Sequence, residues 1–335
     1  MKVSRFVGWS TVVVVLLAAG MAAHAQAPAL QTIRVVSLPG RPLPLVVAEK
    51  QGILARHGIA LQLEVMPNSN DLRGALASGK ADVAHAAVDN AVAMVELAGA
   101  DVLIVMGGEG SLNELIVQPG IKSISDLRGK TLIVDAPNTA YALQLKKILL
   151  SKGLQAGRDY EIKPVGATPQ RLVAMREHKE YAASMLAPPT SILAKREGFV
   201  SLGSTQELIG PYQAGGAFVL RSWAHEHPDL LANYLAAYVE AQRWLLAPAN
   251  KQAVIDLLMQ DAHLSVDVAA ETYQLEVNSP GGWAPDARFD LQGFQNVLKL
   301  RAEVEGQWGG KPPAPEKYYD SAAYQKALAM LQSKQ

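Results

Sequence analysis

Cysteine occurs nowhere in the 335 residues. That excludes a disulfide, a thiolate metal site and a cysteine nucleophile. It also excludes a lipid-bearing cysteine behind a leader. Aromatic residues are scarce at 6%, so a large pocket of stacked rings is not indicated, although Tyr141 and Tyr212 could each supply one ring face. Charge of one sign is lacking too. The 31 basic and 31 acidic residues cancel, leaving no field that would favour nucleic acid or an acidic polymer. No serine sits in G-x-S-x-G. Beyond the N-terminus no apolar run is long enough to span a bilayer.

Two stretches imitate a phosphate-binding loop, and both fail on chemistry. Gly74 to Lys80 fits G-x-x-x-x-G-K, but Ala81 stands where a Ser or Thr must hold Mg²⁺. The stretch also ends a helical pattern and precedes a strand, so Gly79 reads as a helix C-terminal glycine. At Gly129-Lys130-Thr131 the required first glycine is Ile124. Glu109 and Glu114 show no spacing that suggests an acid/base pair. His225 and His227, two apart, would not share a helix face. His57, His178 and His263 lie in polar turn or helix-end contexts, which read as solvated. His85, inside an Ala/Val strand, is either a satisfied core histidine or one that faces a ligand.

What is present begins with an export signal. Lys2 and Arg5 precede the apolar run 11–23, and Ala23-His24-Ala25 is a small-x-small cleavage pattern. Its apolar core is too short to span about 30 Å comfortably, so cleavage after Ala25 is the expectation. The mature chain then has 335 − 25 = 310 residues and 31 − 2 = 29 basic side chains against 31 acidic, a net charge of −2. A soluble monomer in a bacterial periplasm fits. With 49% hydrophobic and 19% charged residues, the chain can bury an ordinary core.

From residue 32 short apolar runs alternate with helical patterns. Strands are expected over 33–38, 61–65, 82–88 and 102–106, then again over 131–135, 160–165 and 181–186. Helices are expected over 43–56, from 69 to Gly79, over 90–98, from 138 to about 152, from Thr168-Pro169 onward, and over 188–197. This alternation predicts βαβ units and parallel sheets. A last strand over 216–220 is followed by helices over 228–246, 251–259, 266–276, 291–303 and 322–331. Two lobes follow, with crossings near 117–121 and 212–217. Small ligands bind where such lobes face each other, at the carboxyl ends of the strands. The loops there are 38–42, Asp89-Asn90, 136–141 and 187–190. Their free amides, with Asn90, Asn138, Thr139 and Thr190, could bind a ligand or merely cap helices.

The chain resembles the periplasmic solute-binding proteins of importers for sulfonates, taurine, nitrate and thiamine-pyrimidine precursors. The matching residues are Pro44 to Leu54 with Gly58-Ile59, Leu76 to Ala84, Ser125 to Lys130, and His227-Pro228-Asp229. The resemblance covers about 32–245. It implies an α/β, type II periplasmic-binding fold: two lobes, each a mixed, mainly parallel sheet flanked by helices, plus a helical C-terminal extension. Lobe one would hold 32–118 and 217–335, and lobe two 119–216. Ligand contacts would come from Pro39, Gly40 and Arg41; Val88, Asp89 and Asn90; Asn138, Thr139, Ala140 and Tyr141; Pro188 and Thr190; with Tyr212 and Gln213 near the second crossing. The implied role is capture of a small anionic organic solute, a sulfonate or carboxylate, for an inner-membrane ABC permease with its cytoplasmic ATPase. No cofactor, metal or catalysis is implied. The alternatives are an enzyme on the same fold, of the pyrimidine-precursor or menaquinone-pathway type, and a ligand sensor for a membrane receptor. If Arg41 points inward it selects an anion by bidentate pairing; if outward, it is solvated. Asp89 near the ligand would disfavour an anion unless it caps the next helix.

Overall fold

A computed structural model describes Met1, residues 29–40 and residues 42–333. Apart from Met1, the expected leader and its cleavage point lie outside the described residues, as does Arg41.

Ten strands form two five-stranded sheets. In chain order they are β1 Gln31–Ser37, β2 Ile59–Val65, β3 Val83–Ala87, β4 Val102–Glu109, β5 Glu114–Val117, β6 Thr131–Val134, β7 Glu161–Pro164, β8 Tyr181–Leu186, β9 Val200–Ser204 and β10 Gly215–Leu220. The first sheet has the order β2-β1-β3-β10-β4, and the second β7-β6-β8-β5-β9. In the first sheet β1 runs parallel to both β2 and β3, while β10 is antiparallel to β3 and β4. In the second sheet β6 runs parallel to β7 and β8, while β5 is antiparallel to β8 and β9. Each sheet therefore receives one reversed strand just after the chain arrives from the other. This is the type II periplasmic-binding architecture expected from the sequence.

The lobe boundary at 118 is corrected by β5. Glu114–Val117 already belongs to the second sheet, so the first crossing is 110–113. With only four residues before the Pro119-Gly120 turn, β5 reads in the sequence as a continuation of β4. The second boundary shifts as well, because Gly215 and Gly216 pair within the first sheet. A side chain at 216 would not fit there. A Cβ would stand 2.6 Å from Val88 Cγ1 and 2.7 Å from the Met106 carbonyl. The helix expected over 43–56 is divided into Leu43–Lys50 and Ile53–Arg56 by Gly52, whose φ of 64° only glycine adopts at no steric cost. The strand β9 and the helices Thr205–Ile209 and Arg221–Glu226 were not expected. They are too short to show a period.

The helical extension is part of the first lobe rather than an appendage. Pro228–Leu246 lays Leu231, Tyr234, Leu235, Val239 and Leu245 into one core with Ile33, Val35, Val47 and Val219. Leu291–Glu305 places Phe294, Val297 and Leu298 into the core on the other side, with Val92, Ile104 and Phe218. Each fully buried side chain of this size contributes roughly 1.5–3 kcal/mol relative to exposure. The tail thus encloses the sheet on both faces, as parallel sheets require. Two separate apolar clusters serve the second sheet in the same way.

Candidate functional site

The carboxyl ends of both sheets open onto one cavity of about 700 Å³ between the lobes. β1 and β3 supply Ser37, His85 and Ala87, and β4 supplies Gly108 and Glu109. The crossing supplies Ser111 and Asn113, and the second lobe supplies Asp135, Tyr141 and Gln144. Helix N-termini point toward it because each follows a parallel strand.

Most of the sequence-expected residues meet here. Pro39, Gly40, Asn90, Thr139, Ala140, Tyr141, Pro188 and Thr190 all line the cavity. Five do not. Val88 is fully buried in the core behind β3. Asp89 is fully buried and paired with Arg301, whose Nη2 donates to Asp89 Oδ2 at 2.8 Å. The same Nη2 donates to the Asn138 carbonyl at 3.2 Å, so Asn138 offers its backbone to Arg301 outside the cavity wall. Tyr212 packs in the apolar core. Gln213 is a staple: its Nε2 donates to the carbonyls of Glu109 at 3.1 Å and Gly215 at 2.6 Å, and its Oε1 accepts from the Asp290 amide at 2.6 Å. Family position counted along the chain brought these five near the site, but Val88, Asp89, Tyr212 and Gln213 turn their side chains into packing.

His85 combines both readings made of it. It lines the cavity, and it is satisfied from behind: Nε2 lies 2.7 Å from the Tyr234 hydroxyl, and the ring stacks on Tyr238 at 5.0 Å. Burial pushes its pKa down to about 3, so it is neutral at physiological pH.

The wall that the sequence did not indicate comes largely from the extension. Leu258, Asp261, Thr272, Glu276 and Trp283 all reach the cavity. Their only sequence signal is Thr272 and Glu276 at i, i+4 on one helix face. Glu109 meets Glu276 here. The short bridge Glu109 to Trp283 and the Trp283 amide on the Glu276 carbonyl at 2.7 Å bring the two segments together. Gly215 makes room for the carboxylate, since a Cβ there would stand 2.6 Å from Glu109 Oε1. The surface that Glu109 exposes is cavity wall, and protein surrounds it on the other sides. Burial therefore pushes its pKa up to about 7. Burial and the neighbouring Glu109 push Glu276 well above the usual carboxylate range.

Across the cavity Asp135 joins the lobes. Its Oδ1 accepts from Thr139 Oγ1 at 2.5 Å, and its Oδ2 from Ser69 Oγ of the first lobe at 3.0 Å. Tyr141 rests on the fully buried Arg171, whose guanidinium lies 4.8 Å from the ring centre. Four carboxylates line the cavity and, among the described residues, no lysine or arginine does.

A pH effect on stability follows from Glu109. Its folded pKa is raised from 4.5 to about 7, so its contribution is present below pH 4.5 and lost as pH rises through 7. Glu109→Gln should match the wild-type unfolding free energy, read from urea titration, at pH 4. At pH 8 it should exceed it by about 1 kcal/mol, a value discounted for the water that reaches the cleft. Equal differences at both pH values would contradict this. His85 acts in the opposite sense in both proteins, losing stability below 6.5 toward 3.

The model of the NMT1-like family matches residues 39–259. A binding protein of Brucella abortus (strain 2308) is 23% identical over 226 residues, 67% of this chain and 68% of its own. The nitrate-binding protein NrtA from Synechocystis PCC 6803 superposes with a TM-score of 0.75 at 14% identity, covering 92% of this chain and 90% of that one. The alkanesulfonate-binding protein SsuA from Xanthomonas axonopodis pv. citri, solved with MOPS, gives 0.71 at 18%, covering 88% and 99%. The desulfurization enzyme DSZB gives 0.61 at 14%, covering 90% and 99%.

Proposed function

The chain belongs to the NMT1-like family, and we propose that it is the solute-capturing component of an ABC-type importer. It would act as a monomer in the periplasm and hand its solute to an inner-membrane permease. The observation that carries this is the inter-lobe cavity of about 700 Å³ at the carboxyl ends of two separate sheets, bridged across by Ser69 and Asp135. Such a site binds by hinge closure, a population shift toward the closed form. Its lining holds no nucleophile poised on a base. His85 directs its Nε2 to the core hydroxyl of Tyr234.

The anionic solute expected from the sequence is not what this lining supports. Four carboxylates and no described lysine or arginine face the space, which supports a cationic group better than a sulfonate. Arg41, the one candidate for pairing with an anion, lies outside the described residues.

The test is a thermal-shift screen of residues 26–335 against amines, amidines, sulfonates, carboxylates, nitrate and pyrimidines. A bound solute at 100 times its Kd adds about 2.7 kcal/mol, a shift of several degrees for a chain this long. Mass analysis should recover the solute unchanged after overnight incubation. Conversion of a solute by the purified protein would instead favour an enzyme on this fold.

A further inference from the structure

We propose that the cavity is selective for an elongated organic cation carrying N–H groups. Its charged nitrogen would be held between the Glu109 and Glu276 carboxylates, and its neutral polar end by Asn90 and Ser37. This rests on the solute-binding reading and names the class of solute.

The acidic end is a built site rather than a loose cluster. Glu109 projects from the end of β4 against Gly215, and Gln213 fixes its backbone. Glu276 approaches from the helix Val266–Asn278. The rings of Tyr238 and Trp283 line the same end and are nearly buried. The titratable groups facing Glu109 are Glu276, Tyr238 from Pro228–Leu246 and Tyr141 from Ala140–Leu150. The neutral His85 on β3 stacks behind Tyr238. Among the described residues no cationic side chain lines the cavity, and Glu109 and Glu276 face each other there. Aromatic faces beside two carboxylates suit an alkylammonium or amidinium ion.

The opposite end supplies an independent sign of a ligand. Ser37 and Asn90 are both 1% exposed, yet Ser37 Oγ and Asn90 Oδ1 have no hydrogen-bond partner, and both residues line the cavity. Buried polar atoms are normally satisfied, so these two await a partner, and Asn90 Oδ1 requires a donor. Ser37 on β1 and Glu109 on β4 are separated by β3 and β10, about 14 Å at the usual strand spacing. A solute touching both ends is extended.

Two helix N-termini near the cavity have one of the protein's own carboxylates close by. Asp89 opens the helix Asp89–Ala98, and Asp135 receives the Thr139 hydroxyl beside the start of Ala140–Leu150. Among the described residues no group of three or more metal-ligating side chains converges. That directs the reading to an organic cation rather than a metal ion.

The cation displaces the proton that the carboxylate pair holds at neutral pH, so binding should release protons. The experiment is isothermal titration of residues 26–335 with agmatine, spermidine, benzamidine, taurine, ethanesulfonate and ZnCl₂. Titrations run at pH 7 in two buffers of different ionisation heat. At least one of the first three should bind with proton release, and Glu109→Gln and Glu276→Gln should each weaken it tenfold or more. Circular dichroism and the melting temperature of each variant check that it folds. Failure of all three cations to bind, preferential binding of ethanesulfonate or zinc, or full affinity in both variants overturns the proposal. Ethanesulfonate binding without conversion would overturn the cation and leave the solute-binding reading standing. Chemical conversion of a bound probe would overturn that reading itself.

Discussion

Arg301→Met should destabilise the folded protein by about 3–5 kcal/mol, the usual consequence of removing one partner of a buried ion pair. Arg301 and Asp89 are both fully inaccessible to solvent. Without the guanidinium, the buried Asp89 carboxyl has lost its cationic partner, and the Asn138 carbonyl loses a donor from the other lobe. The double replacement Asp89→Leu with Arg301→Met removes the stranded charge and should recover more than half of the loss. Urea unfolding of the three proteins decides the matter. A single variant within 1 kcal/mol of wild type, or a double variant no more stable than the single, would show that the pair is not what holds this region.

The second large effect is expected at Arg171. This fully buried side chain donates to the Gly166 carbonyl at 2.7 Å, the Met185 carbonyl at 2.9 Å, Ser184 Oγ at 2.9 Å and Thr168 Oγ1 at 3.1 Å. It also carries the ring of Tyr141 on its face. Arg171→Met takes a donor from the Gly166 and Met185 carbonyls, at about 1–3 kcal/mol for each group left without a partner. Tyr141 and Thr168 belong to the cavity wall, so solute affinity should fall tenfold or more in protein that is still folded. Arg171→Lys should restore little, because a single ammonium cannot reproduce the planar fork. Denaturation midpoints and solute titration separate the two losses. Wild-type affinity in a folded Arg171→Met protein would remove Arg171 from the positioning of the site.

Much of the fold was legible because its signals are local and periodic. The strands β1, β3 and β8 are rich in apolar residues, and Pro228–Leu246 shows a helical period over nineteen residues. β5 was not legible, since Glu114 and three apolar residues after a glycine-rich stretch carry no information about which sheet they join. At the site, backbone position was readable and side-chain direction was not. Asn90 and Thr139 face the cavity while their neighbours Asp89 and Asn138 face Arg301, and only packing with a helix two hundred residues away decides between them. Glu109 was visible but unpaired, because its partner Glu276 sits in a helix with no motif. The charge of the cavity depends on that pairing, and so the expected anion followed the family pattern rather than this chain's own wall.

The placement of that wall has a consequence for how the protein comes into being. A chain made or threaded from its N-terminus presents Ser37, Glu109 and Tyr141 early, but the first sheet lacks its fourth partner until β10 has emerged. The cavity stays unroofed until residues 258–283 arrive. The cavity is complete only once that late segment has joined the rest of its wall.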